Sequence, residues 1–331
     1  MTQTTARKGS AIDRRVRSLT KFLDPLPIPR TLRPVRGRDC LTTVAMVQAS
    51  HRFHHQLPPS PVWTYEGTVP GPTIEVRRGQ RIRVAWQNRI NGDFPVSHVV
   101  VPTVDGGPGR QNIAPDPLVA AIPPWAVVHL HGALTDGGND GWTQNAVLPG
   151  RAQLAEYLND QRATALWYHD HAMGVTAYNV MAGLAGMYLI RDEEEDALSL
   201  PHGSREIPLV ICDRNLDTDD DGFLTGTLLH KVDVFEAGTP PITFPFVGPY
   251  TVVNGKIWPH IQVRNRWYRF RILNASNARA YQLALHGEDG ASIPGVFRQI
   301  GTDGGLLPAP VTLDQLSIAP AERLDVLIDF G

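Results

Sequence analysis

Apolar and polar side chains alternate with a period of two through most of this chain, the spacing that sends successive residues of a strand to opposite faces. Arg81-Ile82-Arg83-Val84-Ala85-Trp86 and Trp267-Tyr268-Arg269-Phe270-Arg271-Ile272 show it most cleanly. Further strands are predicted at Cys40–Ala49, Val62–Tyr65, Thr73–Val76, Val127–His131, Thr164–His171, Gly183–Ile190, Ile207–Ile211 and Leu324–Phe330. Asn254-Gly255 between β-forming residues predicts a tight hairpin. Residues 102–125, rich in Gly and Pro, read as a long loop, and Gln153–Leu158 reads as helical. Arg191–Asp196 reads as a solvated charge run and marks a boundary. The chain therefore divides into an N-terminal arm (1–35), a first domain (36–192) and a second (193–331). Short strands with closely spaced turn signals predict an all-β protein of two antiparallel sandwiches.

Composition agrees with that reading. The 331 residues include 30 Gly and 28 Pro, as many turns require, and the length suffices for about two domains. A net charge of −2 offers nucleic acid or an anionic membrane no electrostatic attraction. No run reaches the roughly 18 apolar residues of a membrane span. Arg14-Arg15 invites a twin-arginine export reading, but charges follow where a signal needs an apolar stretch, so a cytoplasmic location is expected. Cys40 and Cys212 stand far apart and in no ligand spacing.

The chemistry lies in two His-x-His pairs, His129-Leu130-His131 and His169-Asp170-His171. On a strand, both histidines of a pair share one face. Two such strands side by side would converge four imidazoles on one spot. Clustered neutral imidazoles embedded in apolar sequence are costly without a metal or many hydrogen bonds. Imidazole sites suit copper, zinc, iron or nickel, and copper is held most tightly by nitrogen.

With these motifs the sequence resembles the multicopper oxidases, in the phenoxazinone synthase, spore-coat laccase and bilirubin oxidase branch. The likeness is carried by Lys21–Pro29, Pro70–Val76, His129–Asn145, Leu166–Asp192, Val253–Pro259, Arg269–Asn277 and Ala319–Arg323. It implies two cupredoxin-like Greek-key β-sandwiches, the second mainly bridging. It implies that His129 binds a type 2 copper and that His131, His169 and His171 bind type 3 coppers. It implies that Asp140, followed by Gly141, assists proton delivery; without the resemblance Asp140 reads equally well as a turn residue. The implied reaction oxidises phenols or aminophenols and reduces O2 to water.

Two further motifs of the family, a His-x-x-His-x-His run and a His-Cys-His run, do not occur in these 331 residues. A blue copper needs a cysteine thiolate and two histidines, which neither Cys40 nor Cys212 has beside it. Half of a trinuclear ligand set is therefore expected, with no type 1 site. Three explanations follow: a truncated oxidase, which is favoured, a split enzyme completed by a third cupredoxin domain on another chain, or a copper-binding protein without turnover. An exposed apolar patch is expected where a third domain docks.

Lesser signals take plainer readings. Asp217–Gly222 has the acids and glycine of a calcium-loop opening but Leu228 at the twelfth position, and reads as an acidic surface turn. His51, His54 and His55 read as solvated, His202, His230, His260 and His286 as isolated, and Met173 and Met181 as packing residues. Arg269 and Arg271 read as one face of a half-buried strand.

Overall fold

The computed structural model describes residues 15–35, 41–103 and 105–331, and strands dominate it. The first histidine strand is short, Val128–His131, and the second runs Thr164–Asp170. Both lie in a five-stranded sheet ordered Thr31–Leu32, Gly71–Arg77, Ala185–Arg191, Thr164–Asp170, Val128–His131. A four-stranded sheet covers its inner face, in the order Ser60–Tyr65, Leu41–His51, Ile82–Asn88, Ala152–Tyr157. Tyr65, Trp86 and Tyr168 meet between the two sheets with ring centroids 4.9–5.7 Å apart. Tyr168 thus anchors the second histidine strand in the core, and its hydroxyl donates to Pro72 O at 2.7 Å. Because strand side chains alternate, His169 must then face the other way.

A seven-stranded sheet forms the second half, ordered Lys256–Ile257, Tyr250–Val253, Glu206–Arg214, Trp267–Asn274, Arg323–Asp329, Phe297–Thr302, Gly305–Leu313. The expected Asn-Gly hairpin is present, with Asn254 at φ 48° and Gly255 at φ 82° as a type I′ turn requires. The halves share one sheet: Val96–Val101 pairs in parallel with Leu224–Glu236, His98 opposite His230. No helix among the described residues is long and apolar enough to cross a membrane.

Several expectations are corrected. Ala152–Tyr157 is a strand paired with Ile82–Asn88, so the stretch read as helical is sheet. A helix at Thr176–Ala182 follows the second histidine strand, and a single helical turn at Pro117–Ala120 interrupts the long loop. The charge run is solvated only in part: Glu193, Glu194 and Asp196 are exposed, but Asp192 is buried and caps the helix Glu193–Ala197, whose Glu195 is buried too. Arg269 and Arg271 are each 2% exposed, so both faces of their strand are covered. His54 is fully buried with its Nε2 2.9 Å from Thr20 O, and His51 Nε2 lies 2.6 Å from Gly255 O. His230 is not isolated, because its Nδ1 lies 3.0 Å from Nδ1 of His98. Asp217 is buried and pairs with Arg110 at 2.7 Å, while Asp219 accepts the N–H groups of Asp221 and Phe223. Met181 packs in the core, whereas Met173 is half exposed. Cys212 is a buried free thiol; Cys40 and Arg14 lie outside the described residues.

Candidate metal centre

The two histidine strands are antiparallel neighbours with His129 directly opposite His169. That register brings the four predicted imidazoles together. One nitrogen from each of His129, His131 and His169 lies within 4.8 Å of the others. The His171 ring sits beside them, its centroid 5.2 Å from that of His129 and 5.7 Å from that of His169.

Hydrogen bonds settle which nitrogens face inward. His129 Nδ1 lies 2.7 Å from the main-chain oxygen of Asp140, and His169 Nδ1 lies 2.7 Å from that of Asp170. A carbonyl only accepts, so each Nδ1 carries the proton and each Nε2 keeps its lone pair. His131 Nδ1 faces His169 Nε2 at 3.4 Å. Two ligands about 2.0–2.1 Å from one ion, at a roughly tetrahedral angle, stand about 3.3–3.4 Å apart. His171 Nδ1 is buried without a partner. An all-imidazole donor set, with lone pairs on His129 and His169 Nε2 and one orphaned ring nitrogen on His171, fits a transition metal of the copper and zinc kind.

Neighbouring groups hold these rings in place. Trp167 stacks on His169 at 4.0 Å between centroids and on His131 at 5.4 Å, shielding that side from water. The Asp170 carboxylate accepts from Val127 N, Ala172 N and Asn179 Nδ2, and burial pushes it up to about 7 despite those donors. The Gln153 amide donates to Val128 O and accepts from Val128 N, acting as a strand partner on the open edge of the first histidine strand. Asp140 is half exposed and sets Oδ1 3.2 Å from His129 Nδ1. Gly141 follows at φ 77°, where an added Cβ would stand 2.2 Å from Val128 O, so the turn that presents Asp140 excludes any larger residue. Sequence reading gave Trp167, Asp170 and Gln153 no role. Only Trp167 carried a signal, being two residues from His169 and so on the same strand face.

Burial favours the neutral, ligating form of His131 and His169. It pushes His169 down to about 3, and His131 down to about 4 with help from the charges of Arg323 and His129. His230 is pushed down to about 3, again by burial and then by His98. Unfolded, each would titrate near 6.5, so between 6.5 and these values the unfolded chain binds more protons than the folded one. Their contribution to stability is present above pH 6.5 and is lost as pH falls toward 4 and then 3. Asp170, pushed up to about 7, binds its extra proton in the folded state over this window and offsets one of the three. The metal-free protein is therefore still expected to melt at progressively lower temperature from pH 6.5 to pH 4. A flat calorimetric profile across that window would contradict burial of neutral imidazoles.

Comparison with known proteins bears on what binds here. A family profile described as multicopper oxidase matches residues 46–108 and 122–195. A laccase of Bacillus stratosphericus is 41% identical over 326 residues, covering 95% of this chain and 60% of the relative. A laccase of Bacillus subtilis (strain 168) is 40% identical over 325 residues with the same coverage. The crystal structure of the McoA multicopper oxidase from Aquifex aeolicus superimposes with a TM-score of 0.69 at 28% identity, covering 94% of this chain and 58% of that one. The chain thus spans about 60% of the length of the relatives it matches. Its all-β fold is that of two cupredoxin-like sandwiches. On this likeness, together with the paired histidine strands, the chain belongs to the multicopper oxidase family.

Proposed function

We propose that the two histidine strands form the copper-binding half of a laccase-like oxidase centre. The observation that carries this reading is the convergence of one ring nitrogen from each of His129, His131 and His169, with His171 beside them. His131 and His169, facing each other at 3.4 Å, would share one type 3 ion; His171 would serve a second and His129 the type 2 ion. Copper held there would supply one-electron chemistry toward O2. The residues of this chain do the rest: Asp170 and Trp167 fix the rings, and Asp140, in contact with both solvent and His129, stands where it would relay a proton inward. The donors would be phenols or aminophenols, with O2 as acceptor.

Electron entry needs a thiolate site. Cys212 does not supply it, since burial pushes its thiol up and it lies outside the histidine cluster. The remaining ligands would then come from a third cupredoxin domain. Leu134 and Met173, three and two residues after His131 and His171, and Trp142, two after Asp140, are each at least half exposed and would offer it an apolar margin. We read residues 36–192 and 193–331 as the two domains that such a third one would join.

Native mass spectrometry of the protein purified from its own source with copper present tests the reading. The expected particle contains copper and a second polypeptide segment bearing the missing ligands. A copper-bearing chain with no partner and no blue band favours a binding protein without turnover. A chain that holds no copper overturns the proposal.

A further inference from the structure

Arg323 comes from the second sandwich yet lies against the histidine strands. Its side chain is 3% exposed, and every guanidinium nitrogen has a partner. Nε donates to Ala165 O at 2.9 Å, on the strand that carries His169. Nη1 donates to Ala321 O at 3.0 Å and pairs with Asp303 Oδ1 at 3.1 Å, and Nη2 reaches Asp303 O at 3.4 Å. Gly132, the residue after His131, makes room for it. At φ 86° an added Cβ would stand 2.5 Å from Arg323 Nη2. The Asp303 turn is itself pinned to the same strand, Thr164 Oγ1 donating to Asp303 O at 3.0 Å.

This junction does two things. It ties the second sandwich to the strand bearing His169 through Ala165 O and sets the guanidinium against Gly132, the residue after His131. It also leaves a charge imbalance. The Arg323 cation is buried, whereas its counter-ion Asp303 is half exposed, so water weakens its offset without cancelling it. The field next to His131 is therefore net positive.

Resting on the copper reading above, we infer that Arg323 is a positioning residue of the metal centre, contributed by the second sandwich, whose charge favours small inorganic anions on an ion held by His131 and His169. The second sandwich is then part of the site's electrostatics as well as its scaffold.

The test uses the full chain loaded with Cu(II) and titrated with sodium azide at fixed ionic strength, read by the azide-to-copper charge-transfer band, with bound copper counted separately. Arg323→Gln is expected to keep its copper while its azide dissociation constant rises about tenfold, and Arg323→Lys should stay within about threefold of the parent. Asp303→Asn can still accept at Oδ1 from Arg323 Nη1 and from Arg323 N, which lies 2.7 Å away, but no longer offsets the cation, so its azide affinity should tighten by about threefold. A purely structural role predicts no such opposed pair of shifts. Unchanged azide affinity in Arg323→Gln with copper retained overturns the inference and leaves the copper reading standing. If Arg323→Gln does not fold, Asp303→Asn decides alone, and unchanged or weaker azide binding there overturns it. A parent chain that binds no copper, or binds it equally well after His169→Ala, sinks the copper reading and this inference with it.

Discussion

His169→Ala is expected to lower copper affinity by about two to three orders of magnitude. A four-ligand structural zinc site is worth about 10–16 kcal/mol in apparent binding free energy, or about 2.5–4 kcal/mol per ligand, and that per-ligand scale applies to each imidazole here. His169 has more to lose than an average ligand, because it faces His131 and its opposite nitrogen is already committed to Asp170 O. Its ring is also stacked on Trp167, so its geometry is fixed before metal arrives and little ordering entropy opposes binding. His131→Ala should behave alike, while His202→Ala, at an exposed site outside the cluster, should leave affinity unchanged. Competition with a chromophoric copper chelator reads all three. Copper binding that survives both His131→Ala and His169→Ala would show that the metal sits elsewhere.

Glu195→Ala is expected to destabilise the protein by about 3–5 kcal/mol, the usual cost of leaving buried charges without their partner. Glu195 is 4% exposed and stands among Arg191 at 3.2 Å, Arg269 at 2.6 Å, and Arg271. The same three guanidiniums serve Glu206, and Asp325 pairs with Arg269 at 2.5 Å and Arg271 at 3.0 Å. Burial opposes ionisation of Glu206, but the hydrogen bond from Arg191 and the surrounding cations outweigh it and hold that carboxyl near 2. Arg191 and Glu75 belong to the five-stranded sheet, and Arg269, Arg271 and Asp325 to the seven-stranded one. The network therefore clamps one sandwich to the other. Removing Glu195 leaves Arg269 and Arg271 paired with Glu206 and Asp325 but takes the acceptor from Arg269 Nη1 and Arg271 Nη2 in a site water barely reaches, and loosens that clamp. Arg162→Ala, which breaks an exposed pair with Glu194, should cost under about 1 kcal/mol. Urea denaturation of both variants compares them. Similar midpoints would mean that the network carries no more than a surface ion pair.

The strands and the histidine cluster were legible because both rest on period two, and register then follows from burying Tyr168 on one face. Other features depend on partners that no local pattern names. Ala152–Tyr157 consists of Ala, Gln, Leu, Ala, Glu and Tyr, mostly good helix formers, and is made a strand by its neighbour Ile82–Asn88. Arg269 and Arg271 alternate as a wet face would. What covers them is Glu195, Glu206 and Asp325, gathered from distant positions. His230 looked alone because its partner, His98, arrives through a parallel register between the two halves. Arg323 reaches the histidines only once the second sheet is built.

That shared parallel pairing also governs the order in which the molecule is made. Val96–Val101 leaves the ribosome long before Leu224–Glu236, the strand that satisfies its backbone. Val99 and Val101, buried with Leu229 in the finished protein, are meanwhile presented on an open hydrogen-bonding edge. The nascent chain thus carries a sticky, unpaired strand through the synthesis of more than a hundred further residues. In a crowded cell such an edge invites holdase chaperones, or strand exchange with a second copy in the same unfinished state. Yield on overexpression is accordingly set less by the stability of the folded protein than by how quickly Leu224–Glu236 reaches its waiting neighbour.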